Sequence, residues 1–389
     1  MPFYHRLGEV PSKRHVVFPR EGGGIHFEHL MGNMGFAGLQ SLLYTRRRPT
    51  AVLRSEPMES PAWRLDPDPT LRMRHLRTHR LEAGGPSPVL DRTPLVFNGD
   101  VAMSLARPTA DDDFFFRNSQ GDEIVYLSRG RGVLESQFGE LDVKQGDYVV
   151  IPRGIIHRWR LDPATQPILL VIESAGYVHT PKRYRNEHGQ LLEHSPFCER
   201  DIRPPSRLVP VLETGEFPVV VKKDNRLHRV VMEHHPFDTV GWDGCYYPWA
   251  LSIHDFEPIT GRLHQPPPVH QTFAGEGWVL CSFVPRLYDY HPEAIPAPYN
   301  HSNVMSDEVL YYCNDEFMSR KDIEFGSLTL HPDGLPHGPQ PGRTEASIGQ
   351  KETNELAVML DTFRPLRVAA DALPCEDGAY QQSWLGEDG

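Results

Sequence analysis

Nowhere does the chain approach the roughly 18 consecutive apolar residues that a membrane-crossing helix needs, so no such span is expected. Basic residues are equally short of long runs. Arg46-Arg47-Arg48 is the one block, in a chain of formal net charge −12, and it reads as a solvated or salt-bridging loop. Nothing here would neutralise a run of phosphates, which argues against a nucleic-acid partner. Cysteine is scarce too. The five residues Cys198, Cys245, Cys281, Cys313 and Cys375 are odd in number, widely spaced and without a Cys-x-x-Cys pair. That excludes a disulfide framework and a structural zinc site, leaving reduced thiols that pack. The opening Met1-Pro2-Phe3-Tyr4-His5-Arg6 lacks the apolar stretch of a secretion signal, so a cytoplasmic location is expected.

What the chain has in abundance is proline and glycine, 37 and 32 in 389 residues. Prolines remove backbone donors and break helices, so this composition favours short strands, turns and long ordered loops over a helical bundle. The length allows two or three folding units with a sizeable core. Histidine is frequent as well, at 20 residues, and its placement carries the argument.

The two halves resemble each other. Phe116, Asn118, Asp122, Glu123 and Tyr126 stand opposite His301, Asn303, Asp307, Glu308 and Tyr311, all 185 positions apart. A second block follows in each half. Gly146, Pro152, Gly154 and His157 match Gly326, Pro332, Gly334 and His337, 180 positions apart. In both copies a polar loop ends in Asp-Glu and leads into a strand rich in β-branched and aromatic residues. A Gly-led strand then ends in Pro-x-Gly-x-x-His, where the glycine can supply the positive φ of a tight turn. Short strands linked by such turns predict jelly-roll barrels. The two blocks resemble the paired signatures of the cupin family, and two copies resemble a double cupin. The expected fold is therefore mostly β: an N-terminal barrel over 1–204 without metal, and a C-terminal barrel over 205–389 carrying a metal. Arg203-Pro204-Pro205-Ser206 is the expected linker.

A non-haem iron(II) oxygenase uses two neutral imidazoles and one carboxylate on one side of the ion, leaving other positions open. His301, His337 and a carboxylate at 307 or 308 supply that set. Spacing alone leaves Asp307 and Glu308 open. Glu308 is preferred because it immediately precedes the strand and has the longer reach. Asn303 holds a position where many cupins have a second histidine. In the first half Phe116 cannot ligate, so Glu123 and His157 leave at most two ligands, and that barrel reads as structural. His331 is read as a pocket or core residue, since strand alternation puts it on the face of residues 329 and 333 and not by necessity toward the His337 set.

Longer strings narrow the likeness. Residues 2–11, reading Pro-Phe-Tyr-His-Arg-Leu-Gly-Glu-Val-Pro, with Lys13-Arg14-His15, resemble the start of the homogentisate 1,2-dioxygenases. So do residues 235–244, His-Pro-Phe-Asp-Thr-Val-Gly-Trp-Asp-Gly, and Pro336-His337-Gly338-Pro339. The resemblance implies an Fe(II) enzyme that adds both atoms of O2 to homogentisate, giving maleylacetoacetate in tyrosine and phenylalanine breakdown. It places iron on His301, Glu308 (or Asp307) and His337. It matches His264 to the histidine that accepts the phenol proton, with His270 as competitor, and puts Tyr299 and Phe317 at the substrate pocket. Arg320 and Lys321 are candidates for an anionic side group, although such exposed pairs usually face solvent. A homo-oligomer, trimer or hexamer, is implied as well, with a small aromatic acid as partner and neither nucleic acid nor membrane. The same iron chemistry on another phenolic or hydroquinone acid is the nearest alternative. A metal-dependent cupin isomerase and a ligand-binding bicupin without activity stand further off.

Overall fold

The apolar run after Asp122-Glu123 forms the strand Asp122–Arg129 in the computed structural model, which describes residues 3–82 and 84–385. Pro2, the first residue of the opening motif, lies outside them. The chain is almost entirely strand and loop, and among the described residues the one α-helix is the short Arg343–Ser347. No helix among them is long and apolar enough to cross a membrane. All five cysteines are unpaired.

The repeat in sequence is a repeat in hydrogen-bond register. Asp122–Arg129 pairs antiparallel with Asp147–Ile151, setting Glu123 opposite Ile151. Asp307–Tyr312 pairs antiparallel with Ser327–His331, setting Glu308 opposite His331. A third strand follows in each half: Glu173 of Ile168–Ser174 faces Glu123, and Asp361 of Ala357–Thr362 faces Glu308. Phe116 pairs with His157, and His301 bridges His337 in the same way. Two cupin-type halves therefore share one plan, and the molecule is a double cupin.

The halves lie back to back. Alternation along each strand sends one set of side chains into the joint between them and the other set into a barrel. Ser128 Oγ meets Tyr311 Oη at 2.8 Å, and Tyr148 Oη meets Ser282 Oγ at 2.9 Å, all fully or nearly fully buried. One apolar cluster runs through both halves, including Tyr126, Tyr148, Trp249, Phe273, Val309 and Tyr311. On the other face of the second half, Leu310 and Tyr312 join Cys281, Ile323, Ala357 and Met359, with Phe283 and Phe317 packed against them. Glu308 shares that inner face.

Strands cross the expected boundary near residue 204. Thr214–Lys223 adds in parallel to Phe115–Asn118, and Trp249–Ser252 pairs with Asp147–Ile151. In the other direction Arg74–Arg77 joins the second half through Ser327–His331. Such exchanges are long-range pairings and have no local composition signal.

Candidate metal centre

Two backbone hydrogen bonds bring the site together. His301 N donates to His337 O at 2.8 Å and His337 N to His301 O at 2.9 Å, so two loops meet as one narrow pair. The rings then lie 4.3 Å apart, centroid to centroid. Each imidazole is turned by its own second nitrogen. Nδ1 of His301 donates to Tyr299 O at 3.0 Å, and Nδ1 of His337 points at Leu335 O at 3.4 Å. Both Nε2 atoms are left to face Glu308, at 3.7 Å and 3.4 Å from its carboxylate oxygens. One ligand atom from each of the three residues falls within 4.8 Å of the others. His337 Nε2 is buried and has no hydrogen-bond partner, as a lone pair reserved for a cation would be. Two imidazoles and one carboxylate in this arrangement fit a divalent metal ion.

His301 is the half-open member of the set, while Glu308 and His337 are buried. Burial pushes the Glu308 carboxyl up, but the imidazoles of His301, His331 and His337 crowded around it outweigh this and hold the acid well below its usual range. The Glu308 carboxylate beside it in turn raises His301. Asp307 takes another role: its carboxylate accepts from Asp333 N at 2.8 Å and Leu366 N at 2.6 Å, fastening two loops.

His331 is fully buried, as expected of a pocket or core residue, and it also touches the metal set directly. Its Nδ1 meets Glu308 at 2.8 Å, and its ring stacks 4.6 Å from that of His337. Residues directly opposite on paired strands share a face, so the Glu308–His331 register decides the matter. On the far side His331 Nε2 meets Tyr380 Oη at 3.0 Å. Burial, first of all, lowers His331 to about 3, so the ring is neutral. It donates from Nδ1 and accepts the Tyr380 hydroxyl at Nε2. Asp361 was missed. Its Oδ1 is buried and unpartnered, and burial followed by the Glu308 charge raises it to about 7.

The remaining expected residues surround this core. His264 is exposed, 3.4 Å from Asp289 and edge-on to the Tyr299 ring at 5.2 Å. Tyr299 is exposed and touches the set through its backbone carbonyl. His270 stacks on Phe283 at 4.6 Å, and Phe283 meets Phe317 at 5.9 Å. Burial and then Arg286 lower His270 to about 3. Arg320 is buried rather than solvent-facing. Its Nη1 donates to Gly338 O at 2.7 Å, and its guanidinium lies 5.5 Å from the Trp384 ring centre. Lys321 is exposed. Tyr380 and Trp384, from the short 3-10 helix Tyr380–Trp384, had no motif to mark them.

Comparison with known proteins decides the family. A protein of Saccharolobus solfataricus, provisionally named a dioxygenase, is 41% identical over 99% of both chains. Residues 98–253 match the profile of the homogentisate 1,2-dioxygenase N-terminal family. The chain belongs to the homogentisate 1,2-dioxygenase family. It is an enzyme of that dioxygenase family with a His-His-Glu candidate metal site. The homogentisate 1,2-dioxygenase of Oryza sativa is 28% identical over 71% of this chain and 61% of its own length, so this chain spans less than two thirds of that relative. Among solved structures, a cupin 2 conserved barrel protein from Leptotrichia buccalis superposes with a TM-score of 0.35 at 10% identity, covering 76% of this chain and 98% of its own.

Proposed function

We propose that the chain is an iron(II)-dependent dioxygenase that opens the ring of homogentisate, yielding maleylacetoacetate. The observation that carries this reading is the convergence of His301, Glu308 and His337, with His337 Nε2 unpartnered, in a chain of this family. Their two imidazole nitrogens and single carboxylate suit a non-haem iron(II) with open positions. When bound, iron(II) supplies a Lewis-acidic anchor for a phenolic oxygen and a redox partner for O2. Ring opening uses both oxygen atoms and needs no other reductant.

The chain's own residues hold the site and move the proton. Two imidazoles near His264's loop compete as proton acceptor. His270, already lowered to about 3, is a poor base. His264 is exposed and sits 3.4 Å from the Asp289 carboxylate, which can orient its ring, so it is the better placed acceptor. Tyr299, edge-on to His264, and the Phe283–Phe317 pair offer aromatic walls for the ring. Assembly as a homo-oligomer, trimer or hexamer, belongs to the same proposal.

A second substrate has one observation in its favour. The relative that matches over the full length carries only a general dioxygenase name, while the named homogentisate enzymes are longer and align over part of their chains. A different hydroquinone acid would keep the same metal set. The test is turnover of homogentisate and related hydroquinone acids by iron-loaded protein under 18O2. Homogentisate turnover with two labelled oxygens in the product supports the reading. Turnover of another acid alone overturns the substrate, and oxygen-independent isomerisation overturns the chemistry.

A further inference from the structure

The N-terminal half repeats the candidate centre position by position, yet fills it differently. Glu123 has no exposed surface and lies where Glu308 lies in the other half. His157 is equally buried. Its Nδ1 turns to Ile155 O at 3.2 Å, the same two-residue step by which His337 turns to Leu335. His157 Nε2 is thereby aimed inward, and it has no hydrogen-bond partner, as at His337. Phe116 stands in the third place, edge-on to His157 with ring centres 5.6 Å apart.

Into this half-empty set comes a side chain with no counterpart in the other half. Arg92 grips both carboxylate oxygens of Glu123, Nη1 at 2.9 Å and Nη2 at 3.0 Å, while Nε holds Pro88 O at 3.0 Å. Its guanidinium carbon lies 5.8 Å from the centre of the Phe116 ring. A carboxylate so far from water needs a positive charge beside it. In a metal centre the ion provides that charge. Here a guanidinium does, and the bidentate geometry suits it. Burial pushes Glu123 up, yet Arg92 outweighs this and holds it at about 2. A cavity of about 960 Å³ is lined by Arg92, Phe116 and Glu173 among others, so Arg92 and Phe116 stand between it and the buried pair Glu123 and His157.

We propose that Arg92 is a built-in replacement for the divalent cation of a second metal centre, whose surviving ligands are Glu123 and His157. Two residues then bar a metal from this barrel: Phe116, which removes a ligand, and Arg92, which occupies the charge. This inference takes the His301–Glu308–His337 set as its template, and the test separates the two.

The probe is cobalt(II), counted per chain after equilibrium dialysis of the full-length protein. Wild type binds about one equivalent, and a His301→Ala, His337→Ala background binds none. In that background Phe116→His alone still binds none, because Arg92 remains. Adding Arg92→Ala to Phe116→His creates a site and restores about one equivalent. A folded protein with all four substitutions that takes up no cobalt overturns the proposal, as does uptake by Phe116→His with Arg92 in place. Wild type without cobalt would instead fault the C-terminal template. A second measurement holds even if that variant folds poorly. Arg92→Ala strands the Glu123 charge, so Arg92→Ala with Glu123→Gln must melt several degrees above Arg92→Ala alone. Equal or lower melting contradicts the charge-replacement role.

Discussion

Tyr380 lies 79 residues along the chain from His301, yet it touches the metal set through one intermediate ring. Its hydroxyl fixes the tautomer in which His331 donates to Glu308, and so fixes the rotation of the carboxylate. Tyr380→Phe keeps the ring's packing on Trp384 and deletes only that hydroxyl. The expected result is metal loss roughly ten- to a hundredfold faster to a chelator, with the fold retained. An unchanged rate would remove Tyr380 from the support of the site. At the proton-transfer step, His264→Ala should cost about 10²–10⁴ in kcat, while Asp289→Asn, which removes only the carboxylate facing His264 Nδ1, should cost less. Equal activity in His264→Ala would return the role to another group. Glu123 governs acid stability. Its folded value of about 2 lies below the ordinary 4.5, so its contribution is complete above about 4.5 and is lost as pH falls from there towards 2. Chemical denaturation across that window should show Glu123→Gln flatter than wild type.

Two-loop elements, more than strands, set the geometry of the centre. The His301–His337 backbone pair is closed behind by Gly338, where a Cβ would meet Asn300 Oδ1 at 2.2 Å and its Cα at 2.7 Å. Gly338→Ala must therefore part the loops and separate the imidazoles. Weaker metal binding is expected with little change in melting temperature, since the pair lies at the half-open rim. Metal titration alongside a thermal melt checks both. At this scale the sequence was informative where function repeats. The 185- and 180-residue offsets already contain the strand register, and with it the positions of Glu308 and His337. The contact of His331 with Glu308 was legible in the same offsets, since Ile151 opposite Glu123 maps onto it, but alternation counted along one strand did not reveal it. The sequence favoured Glu308 over Asp307 by its place before the strand and its reach, but the role of Asp307 was not legible. It depends on Asp307 capping the amides of Asp333 and Leu366, contacts made by distant loops.

Across the whole molecule, back-to-back packing joins what the repeat divides. Tyr311 to Ser128 and Tyr148 to Ser282 are buried hydrogen bonds between the halves, set within one continuous apolar cluster. Strands that cross over, such as Arg74–Arg77 and Trp249–Ser252, bind each half to the other's chain. No linker composition could reveal that exchange, because the pairing energy comes from partners far away in sequence. The same packing gives the metal-bearing half a rigid back wall, while its opposite face keeps Glu308 among Leu310, Tyr312, Phe283 and Phe317.

Oxygen uptake by iron(II)-loaded protein, with homogentisate as the only organic substrate, tests the central claim most directly. The account predicts one O2 consumed per homogentisate in the wild type and loss of uptake in His337→Ala, whose backbone pair with His301 should survive. Uptake that persists in His337→Ala, or no uptake by wild type with iron demonstrably bound, would contradict it.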